Sequence, residues 1–253
     1  MSVKLFAFTC GHVTSAKDGF LAGEPGKFTV PVPAYLVMHD EGNVLFDTGL
    51  NIGLRQDKAR LLGAIADNWE IDFPQGAEIA AHLARLGLAP SDIRYVVNSH
   101  LHYDHCGGNA LFPKATLVVH EKEWRAAQRP AMHAAGIYNP EDFDHIAAVR
   151  EIGGELDLFA DGSVVAFPTP GHTPGHQSLR VALESGPVVL AADCCYLKRT
   201  LDALHLPKSV YNRDQMLASL ELLRQMQSGG ARIFYGHDPD FWKTVPQAPS
   251  RVV

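Results

Sequence analysis

Six consecutive residues, His100-Leu101-His102-Tyr103-Asp104-His105, carry three imidazoles and one carboxylate. Neutral imidazole and carboxylate together suit zinc and similar divalent ions. Histidine is an uncommon residue, so three within six positions set this run apart from a polar loop whose rings are merely solvated. Residues 94–98, Arg-Tyr-Val-Val-Asn, read as a short buried strand, and Cys106-Gly107-Gly108-Asn109 as a loop. Ligands at a strand end stand on a rigid support and can still turn inward.

In extended backbone His100 and His102 point to one side, Asp104 continues that side, and His105 points off it. One ion cannot readily take all four groups from so short a segment. Two adjacent ions can, with His100 and His102 on one, Asp104 and His105 on the other, and about 3.5–4 Å between them as in two-metal hydrolytic sites. Each ion then needs a third ligand from elsewhere, and something must bridge the pair. The run Thr169-Pro170-Gly171-His172-Thr173-Pro174-Gly175-His176 fixes its backbone with two prolines and two glycines. It offers His172 to the first ion, while His176, past another turn, is read as a hydrogen-bonded second-layer or core histidine. Asp193 closes an apolar strand, where a buried carboxylate needs a partner or a metal. It is the expected bridge. His237, in Gly236-His237-Asp238, is the third ligand expected for the second ion.

Two zinc ions, two aspartates and a bridging hydroxide would leave about +1 on the site, which favours a developing oxyanion and an anionic product. Water on catalytic zinc ionises near pH 7, so the bridging hydroxide is the expected nucleophile toward a carbonyl. The chain has neither a Gly-x-Ser-x-Gly elbow nor a His-Glu-x-x-His helix to suggest another nucleophile. Tyr196, three residues past Asp193, can donate to the oxyanion or protonate a leaving alkoxide. Spacing alone favours the plainer reading, a core tyrosine with a satisfied hydroxyl.

The chain around these residues has 253 positions and is 46% hydrophobic, enough for one sizeable core, and is read as a single domain over 1–253. A net charge of −6 disfavours a nucleic-acid groove. No stretch approaches the ~20 apolar residues of a membrane span. The start, Met1-Ser2-Val3-Lys4-Leu5-Phe6, lacks the basic and apolar regions of a leader. Cys10, Cys106, Cys194 and Cys195 form no C-x-x-C pair and read as reduced thiols of a cytoplasmic protein.

Strands are expected at 3–9, 29–38, 43–46, 115–119, 156–159, 164–167, 178–183, 187–192 and 231–235. Pro31 and Pro33 place the start of the second at a sheet edge. Helices are expected at 52–65, 77–88, 121–128 and 214–227, the last ended by Gly229-Gly230. Residues 11–27 form a long loop, either functional or docking Phe20 and Leu21 on the core. Residues 130–150 are less regular and either roof a pocket or pack on the nearby helix. The order strand, Asp47, helix, strand, His100 recurs as strand, Asp193, helix, strand, His237. Alternating strands and helices point to an α/β sandwich.

The run His100-x-His102-x-Asp104-His105, followed by His172, Asp193 and His237, resembles the metallo-β-lactamase superfamily. The likeness covers essentially the whole chain. It implies a four-layer αββα sandwich of two αβ halves, with the metal site at the edge between two mixed sheets. Within the superfamily the chain resembles the N-acyl homoserine lactonases, through Pro31-Val32-Pro33-Ala34-Tyr35-Leu36, Asp47-Thr48-Gly49, residues 99–108, residues 169–179, residues 193–196 and Phe234-Tyr235-Gly236-His237-Asp238. This implies a quorum-quenching hydrolase with two divalent ions, zinc first. It would open the ring of a small acyl lactone by attack of a metal-bridging hydroxide, and nucleic acid and membrane are not expected as partners. In those lactonases the tyrosine three after the bridging aspartate assists ring opening, which raises Tyr196 above the core reading. Asp104 is placed with it among the catalytic groups. The family's acyl groove is formed partly by the early loop. By resemblance Phe20, Leu21, Phe28, Tyr103, Met132, Ile137 and Tyr138 are substrate candidates.

Other readings compete. A glyoxalase-II-like thioesterase normally carries a basic C-terminal segment, and residues 238–253 offer only Lys243 and Arg251. A β-lactamase would need an aminic leaving group stabilised, and a nuclease would want basic patches. A metal-binding or redox module is a different class, but a di-iron relative usually carries glutamate where His102 stands. An exposed apolar early loop would suit a homodimer.

Overall fold

The computed structural model describes residues 3–146 and 148–253. The expectation resting on Met1 and Ser2, and the part of the irregular segment at Ala147, lie outside them.

The chain opens with a long hairpin, β1 (Lys4–Ala16) and β2 (Lys27–Met38), followed by β3 (Asn43–Phe46), α1 (Lys58–Leu62), β4 (Glu70–Asp72), α2 (Ile79–Arg85), β5 (Ile93–Val97) and α3 (Tyr103–Cys106). Then come β6 (Thr116–His120), α4 (Glu121–Ala127), α5 (Pro130–Ala134) and β7 (Val149–Ile152). The second half holds β8 (Leu156–Asp157), β9 (Val164–Pro168), β10 (Gln177–Leu183), β11 (Gly186–Ala192), α6 (Lys198–Ala203), α7 (Arg213–Ser228), β12 (Arg232–Tyr235) and α8 (Pro239–Trp242).

Two mixed sheets result, one ordered β4-β1-β2-β3-β5-β6-β7 and the other β12-β11-β10-β9-β8. Their facing sides interdigitate: Ala7, Val37, Val44, Phe46 and Val97 from the first meet Ala166, Leu179, Val181, Val188 and Leu190 from the second. The alternate residues of the same strands point outward and are also covered. Leu36, Leu45, Val96 and Leu117 pack against Ile79, Leu83 and Ala126. Val189, Ala191 and Ile233 pack against Met216, Leu220 and Leu223 of α7. With both faces buried, the central strands are near-continuous apolar runs. The layers are helix, sheet, sheet, helix, the αββα sandwich that the resemblance implies.

The early loop is shorter than expected. β1 runs on to Ala16 through a register shift between Thr9 and His12, with Gly11 at φ +99, so only residues 17–26 leave the sheet. A bulge of this kind adds twist without ending the strand, and composition alone does not announce it. Phe20 and Leu21 are both buried within the chain, which removes the reason given for a homodimer. The expected 52–65 helix is broken into 3₁₀ turns around the short α1. β2 pairs with β3 only over residues 35–37, so Pro31 and Pro33 do lie where one side of the strand is free. Among the described residues no helix is long and apolar enough to cross a membrane.

Candidate metal centre

Parallel strands leave their C-terminal ends on one edge of a sheet, and ligands gather there. β3 pairs in parallel with β5, and β11 with β12. Asp47, His100, Asp193 and His237 each follow the C-terminal end of one of these four strands, within three residues of it. Asp47 itself adopts φ +59 and Ala192 φ +45, a left-handed turn at each strand end that swings the following chain out of the sheet.

The histidine run is extended only as far as His102, which caps the single helical turn of α3. The alternating directions expected past His102 therefore do not hold. The turn nevertheless delivers the grouping: one oxygen or nitrogen each from His100, His102, His172 and Asp193 lies within 4.8 Å of the others, and Asp104, His105 and His237 form a second such set. His172 Nε2 stands 3.2 Å from His100 Nε2 and 3.1 Å from His102 Nδ1. Asp193 sits between the sets. Its Oδ2 is 3.2 Å from His172 Nε2 and 3.7 Å from His100 Nε2. Its Oδ1 is 3.2 Å from His105 Nε2 and 3.0 Å from His237 Nε2. Asp104 Oδ2 is 3.6 Å from the Nε2 atoms of both His105 and His237.

These atoms fit divalent ions on two grounds. First, among the described residues His105 Nε2 and Asp193 Oδ1 are buried with no hydrogen-bond partner, although they stand 3.2 Å apart. Unsatisfied buried groups of that kind call for an explanation such as an ion. Second, nitrogens 3.1–3.2 Å apart match the edge of a tetrahedron of ligands around an ion with Zn–N bonds of about 2.0–2.1 Å.

Ring orientation is set from behind. His105 Nδ1 donates to Asp47 Oδ2 at 2.9 Å, and Asp47 also accepts from the amide and hydroxyl of Ser99 at 2.7 and 2.8 Å. His237 Nδ1 donates to the Pro31 carbonyl at 2.8 Å. In both rings this leaves Nε2 with its lone pair toward the centre. Burial pushes the pKa values of His100 and His172 well below the ordinary imidazole range and that of His102 down to about 4, which keeps these rings neutral. At His105 and His237 burial works in the same direction, but the carboxylates of Asp193 and Asp104 outweigh it and raise the pKa. The Asp193 carboxyl is held well below its usual range, burial being overcome by the imidazoles of His105, His237 and His172.

His176 does not enter the cluster. Its Nε2 accepts from the Cys194 amide at 3.2 Å and its Nδ1 lies 2.9 Å from Thr169 Oγ1, a hydrogen-bonded support beneath Asp193. All four cysteines are free and buried.

A residue that the sequence reading passed over ties the loops together. Glu123, on α4, is fully buried; its Oε1 accepts from the Leu101 amide at 3.1 Å and from Tyr138 Oη at 3.0 Å, and its Oε2 from the Gly175 amide at 3.1 Å. A Cβ on Gly175 would lie 2.2 Å from the Glu123 amide nitrogen, so only glycine allows this approach. In sequence nothing sets Glu123 apart from the other acid of that helix's first turn, Glu121. No local signal distinguishes it.

Two cavities open beside the centre. One, of about 210 Å³, is lined by Phe20, Trp69, Tyr103, Ile137 and Tyr196 together with the ligand side chains. The other, of about 320 Å³, lies past His102 and His172 and is lined by Met132, Ile137, Tyr138, Val210 and Tyr211. Residues 130–138 thus roof a pocket rather than merely packing on α4. Leu21 and Phe28 line neither: Leu21 is spent in the core, and Phe28 stands behind Phe20, with 5.7 Å between ring centroids. Trp69 was missed, although an indole in the polar stretch Asp67-Asn68-Trp69-Glu70 was a usable signal. Tyr196 Oη lies 3.1 Å from His172 Nδ1, and burial raises its pKa well above the ordinary phenol range, so it stays protonated.

Residues 28–237 match the family model described as the Metallo-beta-lactamase superfamily. The N-acyl homoserine lactonase AttM of Azorhizobium caulinodans is 32% identical over 235 residues, covering 90% of this chain and 89% of that protein. The N-acyl homoserine lactonase AiiA of Bacillus thuringiensis subsp. kurstaki is 31% identical over 232 residues, covering 90% of each. The solved structure of an N-acyl homoserine lactone hydrolase with its product N-hexanoyl-L-homoserine bound at the catalytic metal centre superposes with a TM-score of 0.89 at 28% identity, over the whole of both chains.

Proposed function

This chain belongs to the metallo-beta-lactamase superfamily, on the branch of the N-acyl homoserine lactonases, and from that premise we propose that it is a dinuclear metal hydrolase that opens the ring of N-acyl homoserine lactones. One observation carries the reading. A single buried carboxylate, Asp193, turns one oxygen to each of two imidazole clusters, in a cavity that also presents a protonated tyrosine.

His100, His102, His172 and Asp193 would hold one ion, and Asp104, His105, His237 and Asp193 the other; zinc is the ion proposed, on the mixed imidazole and carboxylate donors. When bound, such ions supply positive charge for the developing oxyanion and lower the pKa of water enough to furnish hydroxide near pH 7. The chain's own groups do the rest. Tyr196 Oη, kept protonated by burial, donates to the oxygen that gains charge as the ester C–O bond breaks. Asp104, on the cavity wall, is the acceptor proposed to relay the proton of the attacking water to the leaving alkoxide. Phe20, Trp69 and Ile137 keep bulk water from the reacting ester. One water is consumed; the ester becomes a carboxylate and an alcohol, giving the N-acyl homoserine and one proton released to solvent.

The cytoplasm is the compartment we propose, on the four free thiols. The test is a hydrolysis panel on zinc-loaded protein: acyl homoserine lactones, a glutathione thioester, a β-lactam and a phosphodiester. Dominant turnover of the lactones is expected, with two metal equivalents per chain. A dominant rate on any other member, or a single equivalent, would overturn the reading.

A further inference from the structure

Donors from three separate segments converge on the carboxylate of Glu123. The Leu101 amide and the Tyr138 hydroxyl both donate to Oε1, at 3.1 and 3.0 Å, and the Gly175 amide donates to Oε2 at 3.1 Å. The acid has no exposed surface, and it stands outside both candidate ligand sets. A carboxylate buried this deeply costs a fold more than an apolar side chain of similar size unless its partners offset the cost. Burial raises its pKa, and the donors around it pull the other way. Because a donor approaches each oxygen, two acceptor atoms are required; glutamine would turn an NH2 group toward one of the donors. Every segment held in this way also bears on the first ligand set. Leu101 lies between His100 and His102. Gly175 closes the loop that carries His172, and the other end of that loop is pinned where a Cβ on Gly171 would lie 2.3 Å from the Met216 amide nitrogen of α7. Tyr138 sets its ring 5.5 Å from that of His102 and lines the cavity of about 320 Å³ with His102 and His172. The second set has other supports, Asp47 behind His105 and the Pro31 carbonyl behind His237.

We propose that Glu123 is a positioning residue that locks the His100–His102 stretch to the His172 loop and, through Tyr138, ties the pocket roof to both. The first ligand set and the cavity beside it are then built as one unit from a single side chain behind them. The inference rests on the dinuclear hydrolase reading above, which gives the first set its ion.

The test compares Glu123→Gln, Asp47→Asn and the double variant by chelator competition on zinc-loaded protein, which yields two binding constants per chain. Glu123→Gln should weaken one constant about 10-fold, the lower end of the scale for groups standing behind metal ligands, while Asp47→Asn weakens the other and the double variant weakens both. If Glu123→Gln lowers the Tm of the metal-free protein and leaves both constants at wild-type values, Glu123 is a packing residue and the proposal falls. Equal weakening of both constants overturns it as well. Tyr138→Phe keeps the acid and its two amide partners, and it decides the matter should Glu123→Gln fail to fold. It should retain both constants and raise KM for hexanoyl homoserine lactone about 3- to 10-fold, the range for one lost hydrogen bond, with the change in KM rather than kcat. An unmoved KM overturns the tie to the roof and the proposal with it. A wild type that binds two ions but prefers another substrate overturns the lactonase reading alone, and KM is then read on that substrate. A wild type with fewer than two ions overturns both.

Discussion

Asp47 and Asp193 occupy the same place in the two halves of the molecule, and they do different work. Each follows a strand that pairs in parallel with a later strand of its own half, β3 with β5 and β11 with β12. Each is buried beside a left-handed turn at the strand end. Asp193 reaches the ligand side chains of both clusters, whereas Asp47 stays behind them, gripping Ser99 and the far nitrogen of His105. The contrast continues three residues on, where Tyr196 faces the cavity and its counterpart Leu50 is buried in the core. A repeated architecture thus supplies two equivalent launching points, and the side chains placed there divide the labour. One half furnishes the donor that spans the centre, and the other fixes the ring that depends on it.

That division can be broken experimentally, from its strongest element down. Asp193→Ala should strip both ions and all measurable ring opening, read by metal analysis and by lactone titration, because one residue serves both clusters. Retention of a full metal complement would end the idea that it spans them. Tyr196→Phe should keep both metal equivalents and lower kcat by about 10²-fold, as expected for losing a positioned proton donor. Unchanged turnover would reduce the tyrosine to a packing residue. Asp47→Asn should weaken metal binding by roughly 10- to 100-fold, the usual scale for a carboxylate that orients a ligating histidine. In competition with a chelator the ion held by His105 should be lost first. Equal weakening at both clusters would erase the distinction between the halves.

The last prediction concerns stability alone and comes from another buried acid, one where burial outweighs the pull of Arg60. Asp142 accepts from Asn51 Nδ2 at 2.7 Å, and burial pushes its pKa up to about 7. Because the folded value lies above the unfolded one, the native state holds the proton longer. Stability should therefore fall as pH rises from about 4 to 7 and stay low above it, by at most about 4 kcal/mol. Asp142→Asn should remove that slope and leave the variant the more stable of the two at pH 8, as chemical denaturation at several pH values would reveal. Asp193 moves the opposite way only because imidazoles surround it.

The candidate ligands are marked in short local runs, which is why their grouping was legible there. The seven ligand candidates, His100, His102, Asp104, His105, His172, Asp193 and His237, come from four separate segments, and each carried its own mark: histidine density, a proline-glycine frame, an acid ending an apolar strand, and a histidine just past the final strand. The structure brings all seven into one centre. What depended on distant partners was not legible. Glu123 acquires its role only when α4 meets the loops at Leu101 and Gly175. The length of β1 depends on a bulge whose partner strand lies some twenty residues away. Leu21 and Phe28 were placed in the groove by resemblance to a family whose early loop partly forms it; side-chain direction within a loop follows from packing, not from composition.

The bond from His237 Nδ1 to the Pro31 carbonyl joins one of the latest ligand candidates to one of the earliest strands. During synthesis six of the seven candidates emerge before His237, and the carbonyl that aims its ring has been waiting since β2 was laid down. A nascent or truncated polypeptide can therefore gather only a partial set of donors. Completion of the second set of donors therefore waits until β12, at one edge of the second sheet, has been laid down.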